Sequence, residues 1–154
     1  MEAAETDWIP ILNGQAWMLG LDVPIALIGD HPDTVLQEVT PGLADSFPKG
    51  DILVAGSFGA GIRDEKPVRA LLELGVGAIV ADRFDPEFVQ QALALGLRTA
   101  QISESLGIQT GDRLRVDFEG ARIANQSTGD RYPIRNTDQV LLARLRQSIS
   151  RIDA

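Results

Sequence analysis

Chemistry in this chain of 154 residues would centre on Gly56-Ser57-Phe58-Gly59-Ala60-Gly61, followed by Ile62, Arg63 and Asp64. Glycines let a backbone take positive φ and let a ligand approach main-chain amides closely. A helix start directly after such a turn would add unpaired N–H groups and about half a positive charge, which favours a carboxylate or phosphate. Gly59, Ala60, Gly61, Ile62 and Arg63 are therefore the candidate ligand contacts, with Arg63 the residue suited to hold an anion. The spacing is neither a dinucleotide fingerprint nor a phosphate loop, because no Gly-Lys-Ser/Thr follows. Read plainly, the glycines only ease a strand-to-helix reversal, and Arg63 only pairs with Asp64 or Glu65 on the surface.

Other chemistries are closed by composition. The chain has no cysteine and one histidine, His31. It therefore has no thiolate nucleophile, no thiolate for an iron–sulfur cluster and no two-His metal site. No metal site is expected. His31, between Asp30 and Pro32, reads as a solvated loop residue rather than a tuned acid or base. Lys and Arg number 14 against 22 Asp and Glu, a net charge of −8, which argues against nucleic acid or an anionic membrane as partner. Arg113, Arg115, Arg122, Arg131 and Arg135 form the main basic concentration, interleaved with Asp112, Asp117, Glu119 and Asp130; they read as a mixed solvated face. No apolar run approaches the ~20 residues that cross a bilayer, and the acidic start lacks the basic character of a targeting signal. A cytoplasmic protein is expected.

The elements that must position the glycine turn are legible around it. Asp51-Ile52-Leu53-Val54-Ala55 and Gly77-Ala78-Ile79-Val80-Ala81 read as strands buried on both faces, and Leu97 begins a third. Between them lie two helical patterns. One carries Pro67, Val68, Leu71, Leu72 and Leu74 and ends at Gly75. The other has Asp85 as N-cap and Pro86 at its first position, and ends at Gly96. Strand, helix, strand, helix, strand at this spacing predicts βαβ units in a parallel sheet. After Gly111 the alternation Arg113-Leu114-Arg115-Val116-Asp117-Phe118 predicts an antiparallel strand, with a hairpin partner over 121–125 and another turn at Gly129-Asp130. Residues 16–28 predict one or two short strands, 29–49 a loop-rich stretch with at most a short helix over 34–39, and Thr137 a cap for a final helix. The division is a lead-in over residues 1–12 and one α/β domain over 13–154.

These residues carry a resemblance. Residues 51–61 resemble the strand and loop of the small subunit of isopropylmalate dehydratase, the swivel domain of the aconitase superfamily, whose pattern is Val-Ala-Gly-x-Asn-Phe-Gly-Cys-Gly-Ser-Ser-Arg-Glu-His. The likeness continues through Leu71, Leu74-Gly75, Ala78-Ile79-Val80-Ala81 and Leu95-Gly96-Leu97, and through Asn125-Gln126-Ser127-Thr128-Gly129, covering about residues 14–147. It implies a swivelling β/β/α domain: a small parallel sheet with helices plus an antiparallel layer. It also implies dehydration and rehydration of a hydroxy acid, with an iron–sulfur cluster on a large subunit and a serine and an arginine on the small one. Position by position, the cysteine falls on Ala60, the serines on Ile62 and Arg63, the arginine on Asp64 and the histidine on Lys66. A second family motif, rich in acidic and hydroxyl residues, falls on residues 20–30, where Pro24, Ile25 and Ala26 stand instead.

The expectation is a diverged homologue that is not itself catalytic and has no cofactor of its own. It would act as a subunit or interaction module in a larger complex, bound to a larger protein or to itself. The alternatives are a working hydro-lyase small subunit with altered substrate, and a module binding a small carboxylate or phosphate. Phe58, Ile62, Pro67 and Val68 are expected to form an exposed apolar contact face, or else to fold inward and plug the emptied pocket. Trp8 would be an interface anchor.

Overall fold

The computed structural model describes residues 11–135. The lead-in up to residue 10, Trp8 within it, and the final helix expected from Thr137 lie outside the described residues. Strand β1 (Ile11–Val23) runs through the region where short strands were expected, beginning at the end of the lead-in. Gly20 does not end the strand. It sits at φ 127° beside a bulge between Met18 and Gly20, and the strand continues to Val23. Helix α1 (Ile25–Ile28) replaces the strand expected there. Between Gly29 and Lys49 there is a 3₁₀ turn at Pro32–Thr34 rather than a helix over 34–39, and a one-turn helix α2 (Leu43–Ser46). Prolines at 32, 41 and 48 leave room for little more than single turns.

Thereafter sequence and structure agree closely. Strands β2 (Ile52–Phe58), β3 (Ala78–Phe84) and β4 (Arg98–Gln101) alternate with helices α3 (Lys66–Leu74) and α4 (Pro86–Leu95). Asp85 Oδ1 accepts the Glu87 N–H at 2.9 Å, so the predicted N-cap is formed. Strands β5 (Arg113–Asp117) and β6 (Arg122–Asn125) make the predicted hairpin, and β7 (Arg131–Pro133) adds a strand beyond the second turn.

The seven strands form one sheet in the order β4-β3-β2-β1-β5-β6-β7. β1 pairs parallel with β2 and antiparallel with β5, so the parallel and antiparallel halves meet on it. One face packs Leu19, Val23, Leu53, Ala55 and Ile79 against Val68 and Leu71 of α3 and Phe88 and Ala92 of α4. The other face gathers Ile52, Val54, Ala78 and Val80 of the parallel strands with Leu114, Val116, Ile123 and Tyr132 of the antiparallel ones. Two ends of the sheet thus share a core. The sheet curls to allow it: Arg135 N–H donates to Gln101 C=O at 2.7 Å, and the Arg98 guanidinium lies 5.0 Å from the Phe118 ring centre. Among the described residues no helix is long and apolar enough to cross a membrane.

Asp51, 7% exposed, joins the first two strands at their amino ends. Its carboxylate accepts the Gln15 N–H at 3.1 Å and the Trp17 Nε1–H at 3.0 Å. Asp51→Ala strands both donors. It should cost about 1–3 kcal/mol, read as a lowered denaturation midpoint with Trp17 emission shifted. Tyr132, the one tyrosine of the chain, supplies a pH-dependent check. Burial first, then the charges of Asp130, Asp112 and Glu104, push its phenol above the usual value. The folded state thus holds this proton more tightly than the unfolded state. Its contribution is complete below the ordinary phenol range and is lost as pH rises through the raised midpoint. Tyr132→Phe should therefore lose less stability in alkali than the parent chain, measured by denaturant melts across that range.

Candidate functional site

The carboxyl ends of β1, β2 and β3 are laced together by main-chain bonds. Gly59 N–H donates to Val23 C=O at 2.9 Å, Ile25 N–H to Ala60 C=O at 2.9 Å, and Asp85 N–H to Phe58 C=O at 3.1 Å. β2 reaches Phe58, so the first half of the expected turn is strand, and the loop proper runs over residues 59–65. Gly59 is required at its position. It has φ 98°, and a Cβ there would lie 2.6 Å from Cβ and Cγ of Phe88. Under the loop, Phe58 meets Phe88 edge-on at 5.1 Å, and Phe84 stacks on Phe88 at 6.4 Å.

Burial settles how the apolar loop residues are used. Phe58 is 2% exposed and Val68 is fully buried. Pro67 is buried as well, and Ile62 packs partly buried on the same core. These four were expected as a possible exposed contact face. They fold inward instead, because the helix and the three phenylalanines offer them a core within reach.

The candidate ligand contacts divide. The Gly59 amide is spent on Val23. The N–H groups of Ala60, Gly61, Ile62 and Arg63 donate to nothing among the described residues, and the exposed Arg63 side chain has no partner there. The helix start is farther away than the sequence suggested. α3 begins at Lys66, its first N–H is taken by Asp64 Oδ1 at 3.0 Å, and Pro67 has none to offer. Asp64 thus occupies the anion-favouring position with its own carboxylate. Glu65 is paired at 2.8 Å with Arg69, both about half exposed, a pair worth little to stability. His31 is exposed.

One pairing was missed in the sequence. Ser57 Oγ donates to Asp22 Oδ1 at 2.5 Å, and the two residues are register partners on β1 and β2. Their separation in sequence hid it, since only the strand register brings them together. Among the described residues, no group of three or more His, Asp or Glu could hold a metal ion.

A curled mixed sheet with helices on one face, and a glycine loop at its parallel strand ends, defines a swivel-type α/β domain. The same fold occurs in a crystal structure of 3-isopropylmalate dehydratase from Methanocaldococcus jannaschii, with a TM-score of 0.72 and 22% identity, covering 94% of this chain and 99% of that one. In sequence, the chain is 33% identical over 133 residues to 3-isopropylmalate dehydratase small subunit 1 of Archaeoglobus fulgidus, covering 79% of this chain and 83% of the relative. It is 29% identical to the methanogen homoaconitase small subunit of Methanothermobacter thermautotrophicus, covering 86% of this chain and 84% of that one. No family model matches. The chain belongs to the family of 3-isopropylmalate dehydratase small subunits.

Gly59→Ala should be the most damaging single-atom change in the loop. It forces a left-handed backbone onto a residue with a Cβ and drives that methyl into Phe88. A loss of about 2–3 kcal/mol in denaturant unfolding is expected, against a near-neutral Ala60→Gly.

Proposed function

We propose that this chain is a diverged small subunit that works as a non-catalytic member of a larger complex. The observation that carries this reading is the end of the loop. Where the family pattern has a serine and an arginine, Ile62 packs on the core and Asp64 holds the Lys66 amide. An aliphatic side chain moves no proton, and a carboxylate repels the carboxylate it would have to bind. Glu65 lies on the surface and pairs with Arg69 rather than with a group that would tune it as a base. The resemblance implies a larger protein as partner, and the small-subunit names of the relatives support that part of the reading. With no cysteine in the chain, a cluster serving such a complex would be ligated by that partner.

A second reading has its own support. Among the described residues the amides of Ala60, Gly61 and Ile62 and the Arg63 side chain have no partner, which suits a small carboxylate or phosphate bound without chemistry. A working hydro-lyase subunit with altered substrate would use the same arginine, with Asp64 or Glu65 exchanging the proton, although Asp64 holds the Lys66 amide and Glu65 pairs with Arg69.

One experiment separates the three. The chain is combined with a large subunit of an isopropylmalate dehydratase, complex formation is followed by sedimentation, and isomerisation is assayed. Co-sedimentation without turnover is expected, unchanged by Arg63→Ala. Turnover that Arg63→Ala abolishes would overturn the non-catalytic reading. Absence of any complex, together with a carboxylate-dependent rise in melting midpoint that Arg63→Ala removes, would favour the anion-binding module.

A further inference from the structure

The antiparallel ribbon carries a second feature, remote in sequence from the glycine loop. Register places Arg115 of β5 opposite Ala124 of β6, and Ala124 opposite Arg131 of β7. In the next row on the same face, Asp117 of β5 stands opposite Arg122 of β6. Side chains two apart on a strand share a face, and all five residues line one cleft of about 250 Å³. Ala124 is its floor, small enough to leave space between the flanking guanidinium groups. Arg115 and Arg131 are two strand spacings apart, about 10 Å between backbones, within reach of two arginine side chains extended toward one ligand.

Three of the acids that the sequence interleaves with these arginines, Asp112, Asp117 and Asp130, accept hydrogen bonds from groups other than the arginines. Asp112 Oδ2 accepts from Asn125 Nδ2 and from the Gln109 N–H, both at 2.9 Å. Asp130 Oδ2 accepts the Thr128 hydroxyl at 3.0 Å. Asp117, which lies in the cleft, accepts the Gly120 N–H on Oδ1 at 2.8 Å. Arg115, Arg122 and Arg131 are exposed, and their guanidinium groups make no hydrogen bond or ion pair with a described residue. Like charges side by side on one sheet face repel. Three guanidinium groups around a small residue, without a partner among the described residues, are an arrangement that an anion would stabilise. The solvated mixed face expected from the sequence becomes, in the fold, a basic cleft with one acid in it.

We propose that the cleft of Arg115, Arg122 and Arg131 over Ala124 binds a compact oxyanion carrying two or more negative charges. The planar guanidinium fork meets phosphate or carboxylate oxygens in pairs. Arg115 and Arg131 grip the anion from its two sides, and Arg122 contributes from the next row. Asp117 limits the excess to two positive charges, which matches a dianion or trianion rather than chloride.

The test uses the whole chain at neutral pH and constant ionic strength, with calorimetric titration of pyrophosphate, inorganic phosphate and citrate, and chloride as control. Saturable binding of one anion per chain is expected, stronger than chloride and weaker at high salt. Arg115→Ala or Arg131→Ala should weaken it about tenfold or more. Arg115→Lys, which keeps the charge but loses the fork, should weaken it less. Preference for pyrophosphate over citrate identifies a phosphate ligand, and the reverse a carboxylate; either supports the site. Arg69→Ala should leave binding unchanged. Without anion, Arg131→Ala should not lower the melting midpoint, since it relieves repulsion, and this shows that the variant folds. No saturable binding of any of the three anions would overturn the proposal. So would binding lost in Arg63→Ala but kept in Arg115→Ala, which would put the anion at the glycine loop.

Discussion

β1 is the strand on which the two halves of the molecule depend, because it must satisfy a parallel neighbour and an antiparallel one at once. Residues 11–15 bond to β5, while residues 16–23 bond to β2 with a bulge between Met18 and Gly20. A parallel pair and an antiparallel pair have different hydrogen-bond patterns, so a strand shared between them needs length as well as local irregularity. Gly20 at φ 127° supplies the irregularity, and thirteen residues supply the length. Asp51 anchors the amino end by holding Gln15 and Trp17 together. At the carboxyl end, Val23 accepts the Gly59 amide and so positions the glycine loop.

Two apolar clusters follow from that arrangement. The helical face is covered by α3 and α4, whose buried Val68, Leu71, Phe88 and Ala92 meet alternate residues of the parallel strands. Among the described residues the opposite face has no helix of comparable length. It is closed by the sheet's own curl, which brings Tyr132 and Ile134 to the side of Val80, Ala100 and Ile102. The Arg135–Gln101 main-chain bond holds the two edges near each other, so the edge of β4 is partly covered rather than left open to another chain.

At the loop, the residues that stand where the family pattern has a serine and an arginine are both used by the fold itself. Ile62 joins the apolar cluster and Asp64 turns back to cap the chain at Lys66. Ile62 and Asp64 each have a partner in the fold, and among the described residues no buried side-chain nitrogen or oxygen lacks a hydrogen bond. The loop is consistent internally as a structural turn, with Arg63 as its one outward cation.

Local pattern determined much of this protein. Continuous apolar runs marked β2 and β3, Asp85-Pro86 and Gly96 bounded α4, and strict alternation marked β5, because each of these signals is satisfied within a few residues of chain. The absence of cysteine and the identities at Ile62 and Asp64 were likewise legible without coordinates. Tertiary structure decided the rest. Gly20 could end a strand or bend it, and only pairing with β2 kept β1 running to Val23. Phe58 and Val68 could face a partner or the interior, and the neighbouring Phe84 and Phe88 drew Phe58 inward. The Ser57–Asp22 bond and the convergence of Arg115, Arg122 and Arg131 depend on register between strands far apart or separated by turns. Register is set by the fit of whole faces against their cores, and no single segment of sequence contains it.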